Sequence, residues 1–92
     1  KESNMALTFP NQSRSYDHTR DAVRFWGYQS AMEYSFFVTT EALRRIQPRL
    51  PESEADWLDA FDANRELIYK VAVKVHARGP RGSYELVSKD FQ

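Results

Sequence analysis

The chain contains no cysteine, which excludes a disulfide framework, a thiolate zinc site and a thiol nucleophile. Only three glycines occur among 92 residues, and none has the spacing of a phosphate-cradling loop. Thirteen basic and thirteen acidic residues leave a formal charge of zero. No global field therefore draws the protein to nucleic acid or an anionic membrane, and any such binding must be local. No unbroken apolar run is longer than four residues, far short of the roughly 20 that a membrane helix needs. The opening KESNMALTFP also lacks an apolar segment of signal-peptide length. These absences lead to the expectation of a cytoplasmic protein with no membrane attachment, no cofactor and no metal.

What is present is 41% hydrophobic, 14% aromatic and 28% charged residues of mixed sign, the composition of a globular domain rather than a disordered chain. So short a chain is read as a single domain over 1–92, because two halves would each be too small to bury a core. Residues 1–5 read as a flexible end or a cloning remnant.

Leu7 and Phe9 alternate with Thr8 before Pro10, which predicts a short edge strand over 6–10. The polar stretch 11–21 predicts a loop with one anchor, Tyr16. Over 22–28, Val23, Phe25 and Gly27 share one face, and Arg24, Trp26 and Tyr28 share the other. Over 31–39, Met32, Tyr34, Phe36 and Val38 oppose Glu33, Ser35 and Phe37. These runs predict a hairpin whose paired residue numbers sum to an odd value, 57, 59 or 61. No Asn-Gly pair is present in the turn to choose among them.

Thr39 is a natural N-cap, with Val38 and Leu43 as a hydrophobic staple, so a short helix is expected over 40–46, ended by Pro48 and Pro51. Ser53 caps the next segment. The stripe of Trp57, Phe61, Ile68, Val71, Ala72 and Val75 predicts one long helix over 53–77, stopped by Gly79 and Pro80. Acidic residues at its start and basic residues at its end agree with the helix dipole. A last alternating run predicts a strand over 83–88. The expected fold is α+β in two layers, with a small antiparallel sheet and both helices on one face.

Three segments resemble an uncharacterised bacterial family catalogued as domain of unknown function 1488. They are LTFPNQSRSYD at 7–17, AVRFWGYQSAMEYSFFVTTEAL at 22–43 and LDAFDANRELIYKVAVKV at 58–75. The resemblance implies a small α+β domain that usually stands alone. The family carries no established activity, so the resemblance transfers no functional residue.

Residues suited to chemistry are few. Ser13, Ser15, Asp17 and His18 have the composition of a catalytic triad, but one short loop does not orient such groups. His76, in a last helical turn, is most simply a dipole-compensating residue. Glu52, Glu54, Asp56, Asp59 and Asp62 lack calcium-loop spacing and read as a solvated acidic helix start. No catalytic residue is assigned, and the reading leans away from an enzyme.

Three groups stand out as candidate sites. Arg44, Arg45 and Arg49, with Lys70, Lys74, Arg78 and Arg81, form a basic patch if the two helix ends share an edge. Asn64 and Arg65 fall within or beside the apolar stripe, where a polar group must find partners or lose about 1 to 3 kcal/mol. They are expected to tie down the loop at 11–21 or the loop before the helix, with a ligand-facing pair as the sharper alternative. Arg24, Trp26, Tyr28, Glu33 and Phe37 occupy the hairpin face that the helices leave uncovered, a candidate interaction surface.

The leading expectation is a small non-catalytic interaction or accessory module, with a homodimer or another protein as its partner. Nucleic-acid binding through the same rings and arginines is the second reading. A small-ligand-binding protein or enzyme is the third.

Overall fold

The computed structural model describes residues 6–92, so the reading of 1–5 as a flexible end lies outside the described residues. Four strands, β1 (Ser15–Asp17), β2 (Ala22–Gln29), β3 (Met32–Thr39) and β4 (Ser83–Leu86), form one sheet in that order. Between β3 and β4 run three helices, α1 (Thr40–Ile46), α2 (Glu54–Ala63) and α3 (Arg65–His76), and a 3-10 turn at Ser88–Phe91 follows β4. The fold is α+β, as the sequence pattern predicts.

β2 and β3 pair antiparallel with Val23 opposite Val38 and Phe25 opposite Phe36, the register in which paired numbers sum to 61. In this register a two-residue loop, Ser30 and Ala31, joins the strands. Ser30 adopts the left-handed conformation (φ 56°) that such a tight connection demands. Thr39 caps α1 through its hydroxyl, which accepts from the Ala42 N–H, and Ser53 caps α2 by accepting from the Asp56 N–H. Val23, Phe25, Phe36, Val38, Leu43, Trp57, Phe61, Ile68, Val71, Ala72, Val75, Tyr84 and Leu86 form one buried cluster. The predicted helical stripe is thus the surface that meets the sheet.

The structure corrects the expected elements in four places. β4 pairs parallel to β3, with Ser83 beside Ser35 and Leu86 beside Val38, so the sheet is mixed rather than antiparallel. The reason is the helical return: α2 and α3 carry the chain back to the end where β3 begins, and a strand starting there runs alongside β3. β4 is also shorter than 83–88, because Val87 and Asp90 bond into the 3-10 turn (Val87 N–H to Asp90 Oδ2, 2.8 Å).

The single long helix is two helices, broken at Asn64 (φ −122°, ψ 22°). In a continuous helix the Asn64 N–H would take the Ala60 carbonyl. Here the side-chain amide takes it (2.8 Å), while the backbone N–H bonds Phe61 O at 3.1 Å. Asparagine competes with the ladder in this way because its short amide reaches nearby carbonyls.

The strand expected over 6–10 is only a bridge, Thr8 exchanging two 2.8 Å bonds with Tyr28. Pairing along the same edge of β2 is taken up by β1 at 15–17, inside the stretch predicted as a loop, where Tyr16 sits opposite Val23. Met32, expected in the core, is 57% exposed, since it adjoins the hairpin loop at the end of the sheet.

The bridge at Thr8 lays Phe9 over the sheet. Its ring stacks on Tyr69 of α3 (centroids 4.2 Å apart, 3° between planes) and meets Phe25 and Phe36 at 6.1 and 5.9 Å. Gly27 makes this possible. A Cβ there would lie 2.8 Å from Phe9 Cε1 and 2.9 Å from Phe36 Cε1. Gly27→Ala should therefore lower stability by about 1–3 kcal/mol through overpacking, measured by urea unfolding. An unchanged midpoint would show that the Phe9 ring is not seated as described.

Candidate functional site

The pleat of β2 sends Arg24, Trp26 and Tyr28 to the face opposite the helices, and pairing brings Phe37, Ser35 and Glu33 of β3 beside them. Phe37 is only 4% exposed. Its cover comes from arginines: the Arg20 guanidinium lies 4.2 Å from the ring centroid and that of Arg24 at 5.5 Å. Arg24 also stands 5.1 Å over Trp26 and donates to Ser35 Oγ at 2.9 Å. Its Nε is buried and has no acceptor among the described residues, and the flanking ring faces offer it electrostatic compensation.

Arg20, which sequence reasoning did not single out, is positioned by Asp17. The Asp17 carboxylate accepts from the Arg20 backbone N–H (3.0 Å) and guanidinium (3.3 Å). The backbone bond is the first cause holding the Asp17 carboxyl below its ordinary range. The D-x-x-R spacing of this turn was the available signal.

At the other end of the face, the Tyr28 hydroxyl donates to Glu33 Oε2 (2.6 Å) and accepts from Asn11 Nδ2 (3.1 Å). The bond to Glu33 is the main reason that the Tyr28 phenol is pushed up. The surface thus runs from cationic at Arg20 and Arg24, through half-buried Trp26, to anionic at Glu33.

Asn64 and Arg65 are tied into the fold. Asn64 Nδ2 also reaches Gln47 Oε1 at 3.2 Å, in the connection after α1. Arg65 donates to Gln12 O (2.8 Å), Tyr69 Oη (2.7 Å) and Asp62 Oδ1 (2.8 Å), and lies 4.8 Å over the Phe61 ring. Asp62 also receives a bidentate grip from Arg14, at 3.0 and 2.8 Å. The Arg14 bond, ahead of the Arg65 bond, holds the Asp62 carboxyl below its ordinary value while partial burial opposes it. These two arginines fasten the 11–14 stretch to the α2–α3 junction.

Two of the seven residues of the basic patch have acidic partners. Arg44 pairs with Glu52 and stands 5.1 Å over Trp57, and Arg78 pairs with Asp90 at 3.1 Å. Arg45, Arg49, Lys70, Lys74 and Arg81 are exposed. The triad-like loop residues also have other partners. His18 Nε2 lies 3.2 Å from Glu54 Oε1, and Asp17 is engaged by Arg20. His76 packs against Tyr34 and Tyr84 with centroids at 4.7 and 5.2 Å. Among the described residues no group of three or more His, Asp or Glu side chains could hold a metal ion. Within the same residues no helix is long and apolar enough to cross a membrane.

This geometry defines a small two-layer α+β domain whose sheet presents an arginine-and-aromatic outer face. Residues 7–87 match DUF1488, described as "Protein of unknown function", and the chain belongs to that family. A crystal structure at 1.60 Å of a protein of unknown function from the same family, from Shewanella loihica PV-4, shares the fold. It superimposes with a TM-score of 0.78 at 18% identity, covering 89% of this chain and 92% of that one. No curated protein matches.

The lowered Asp62 carboxyl sets a pH dependence. Its contribution to stability is complete above the ordinary value of 3.8 and is lost as pH falls through the lowered folded-state value. With the side chain 38% exposed, screening limits the effect to about 1 kcal/mol. Thermal melts of the protein and of Asp62→Asn should differ by a constant amount at neutral pH and converge below about pH 4. A gap that persists at lower pH would rule out the ion pair as its source.

Proposed function

We propose that the chain is a non-catalytic interaction module that associates through the outer face of the β2–β3 hairpin, with a second copy of itself as the partner, in a cytoplasmic setting. The observation that carries this reading is the order of charges on that face, Arg24 toward one end and Glu33 at the other, with half-buried Trp26 in between. A two-fold axis near the Trp26–Ser35 pair would set Arg24 of each copy against Glu33 of the other and place the indoles at the centre. Such self-complementarity is what an isologous interface requires. Aromatic and arginine side chains are also the types enriched at interface centres. The zero net charge adds no long-range repulsion between copies.

The nucleic-acid reading has less support. Base stacking needs free ring faces, and Phe37 is covered by Arg20 and Arg24. Two of the seven patch cations it would use for phosphate contacts, Arg44 and Arg78, also have carboxylate partners. An enzyme or small-ligand reading would need Asn64, Arg65 or His18 to converge on a cavity, and each is engaged by a structural partner instead.

Sedimentation equilibrium over micromolar to millimolar concentrations should show reversible dimerisation. Trp26→Glu should weaken it by at least about tenfold, or roughly 1.4 kcal/mol. Arg24→Glu and Glu33→Arg should each weaken the dimer, and the double charge exchange should restore it. A monomer throughout the range, or a dimer indifferent to Trp26→Glu, would overturn the proposal.

A further inference from the structure

β4 ends the sheet, paired with β3 on one side and, among the described residues, with no strand on the other. Alternate residues of a parallel strand turn both N–H and C=O away from their neighbour. Among the described residues no backbone hydrogen bond from outside the sheet reaches Ser83–Leu86. An edge in this state is a template for another strand.

A cleft of about 320 Å³ lies along this edge, lined by Val75 and Arg78 of α3, Arg81 of the connecting loop, and Ser83, Tyr84 and Glu85 of β4. Val75 and Tyr84 are buried and form its apolar floor. The Tyr84 hydroxyl donates to Gly79 O (3.2 Å) and accepts from the Arg81 N–H (3.1 Å), which holds the loop, and so the Arg81 backbone, beside the strand. The Arg81 side chain is without a partner among the described residues, whereas Arg78 shares its charge with Asp90. Arg81 is therefore the uncommitted cation of the cleft.

We infer that the open edge of β4 takes an extended acidic peptide of another protein as a fifth strand, a carboxylate meeting Arg81 while its backbone pairs with Ser83–Leu86. Arg81, which has no carboxylate partner among the described residues, selects an anionic side chain, while Arg78 is held by Asp90 and Glu85 lies on the outer strand face beside Phe37. The backbone ladder selects an extended conformation over a helix or an oligonucleotide. The site is a sheet edge rather than the hairpin face, so it stands or falls independently of dimerisation.

The test uses a fluorescent peptide of about six residues, alternating glutamate and valine. Its controls are a lysine counterpart and a version N-methylated at alternate amides. Anisotropy should show salt-sensitive binding of the acidic peptide only, lost on N-methylation and weakened about tenfold by Arg81→Glu. Arg81→Glu replaces an exposed side chain, so its thermal melt should match the unmodified protein, and Arg81→Ala should give an intermediate loss. Amide exchange should show protection at 83–86 when peptide is bound. Equal binding of acidic and lysine peptides, no binding, indifference to N-methylation or to Arg81→Glu, or displacement by a single-stranded oligonucleotide would overturn the inference. So would protection of 83–86 without peptide in a dimer, which would assign the edge to a second copy.

Discussion

The rest of the fold depends on the packing of rings around Phe25. It lies within 5.1 to 6.1 Å of Phe61 in α2, Phe36 in β3, Tyr69 in α3 and Phe9 in the N-terminal arm. One side chain thus joins both sheet strands of the hairpin, both halves of the broken helix and the segment before the first strand. Aromatic pairs in tilted or offset geometry add to the stabilisation from burial alone. Phe9 can join them only because residue 27 has no side chain. The absence of a single methyl group lets the arm close one side of the core.

The second constraint is electrostatic and acts on the outside. The two faces of the sheet solve different problems: the inner one buries apolar surface under helices, and the outer one covers its buried ring, Phe37, with guanidinium groups from its own chain. Arginine suits this task because its planar, weakly hydrated cation stacks on a ring and still presents donors at its edge. The same chemistry recurs at Arg65 over Phe61 and Arg44 over Trp57. In a chain with balanced charges, arginine here serves as packing material as much as a source of field.

This bears on how the polar candidates should be understood. Asn64 and Arg65 lie where polar groups must be satisfied, and both are used to connect segments distant in sequence. Arg65 reaches Gln12, and Asn64 reaches Gln47. Helical periodicity marked them as anomalous because it reports the environment of a position. It could not show that Asn64 interrupts the helix, since the interruption comes from a side-chain amide taking the Ala60 carbonyl, and an asparagine on the exposed side of a helix would read alike in the sequence. Arg20 was missed for a related reason. The D-x-x-R turn preceding β2 signals its bond to Asp17, but not that it folds over a ring seventeen positions further on.

The sequence by itself determined the α+β class, the caps at Thr39 and Ser53, the helical stripe and the division of the hairpin into an inner and an outer face. All of these follow from local periodicity and short-range hydrogen bonding. Tertiary structure alone decided the register among three allowed sums, the parallel course of β4, the pairing of β1 in place of a strand at 6–10, and the burial of Phe37 under two arginines. Each of these is a choice between arrangements with the same local pattern. It is settled by which distant surfaces meet, and no window of a few residues carries that information.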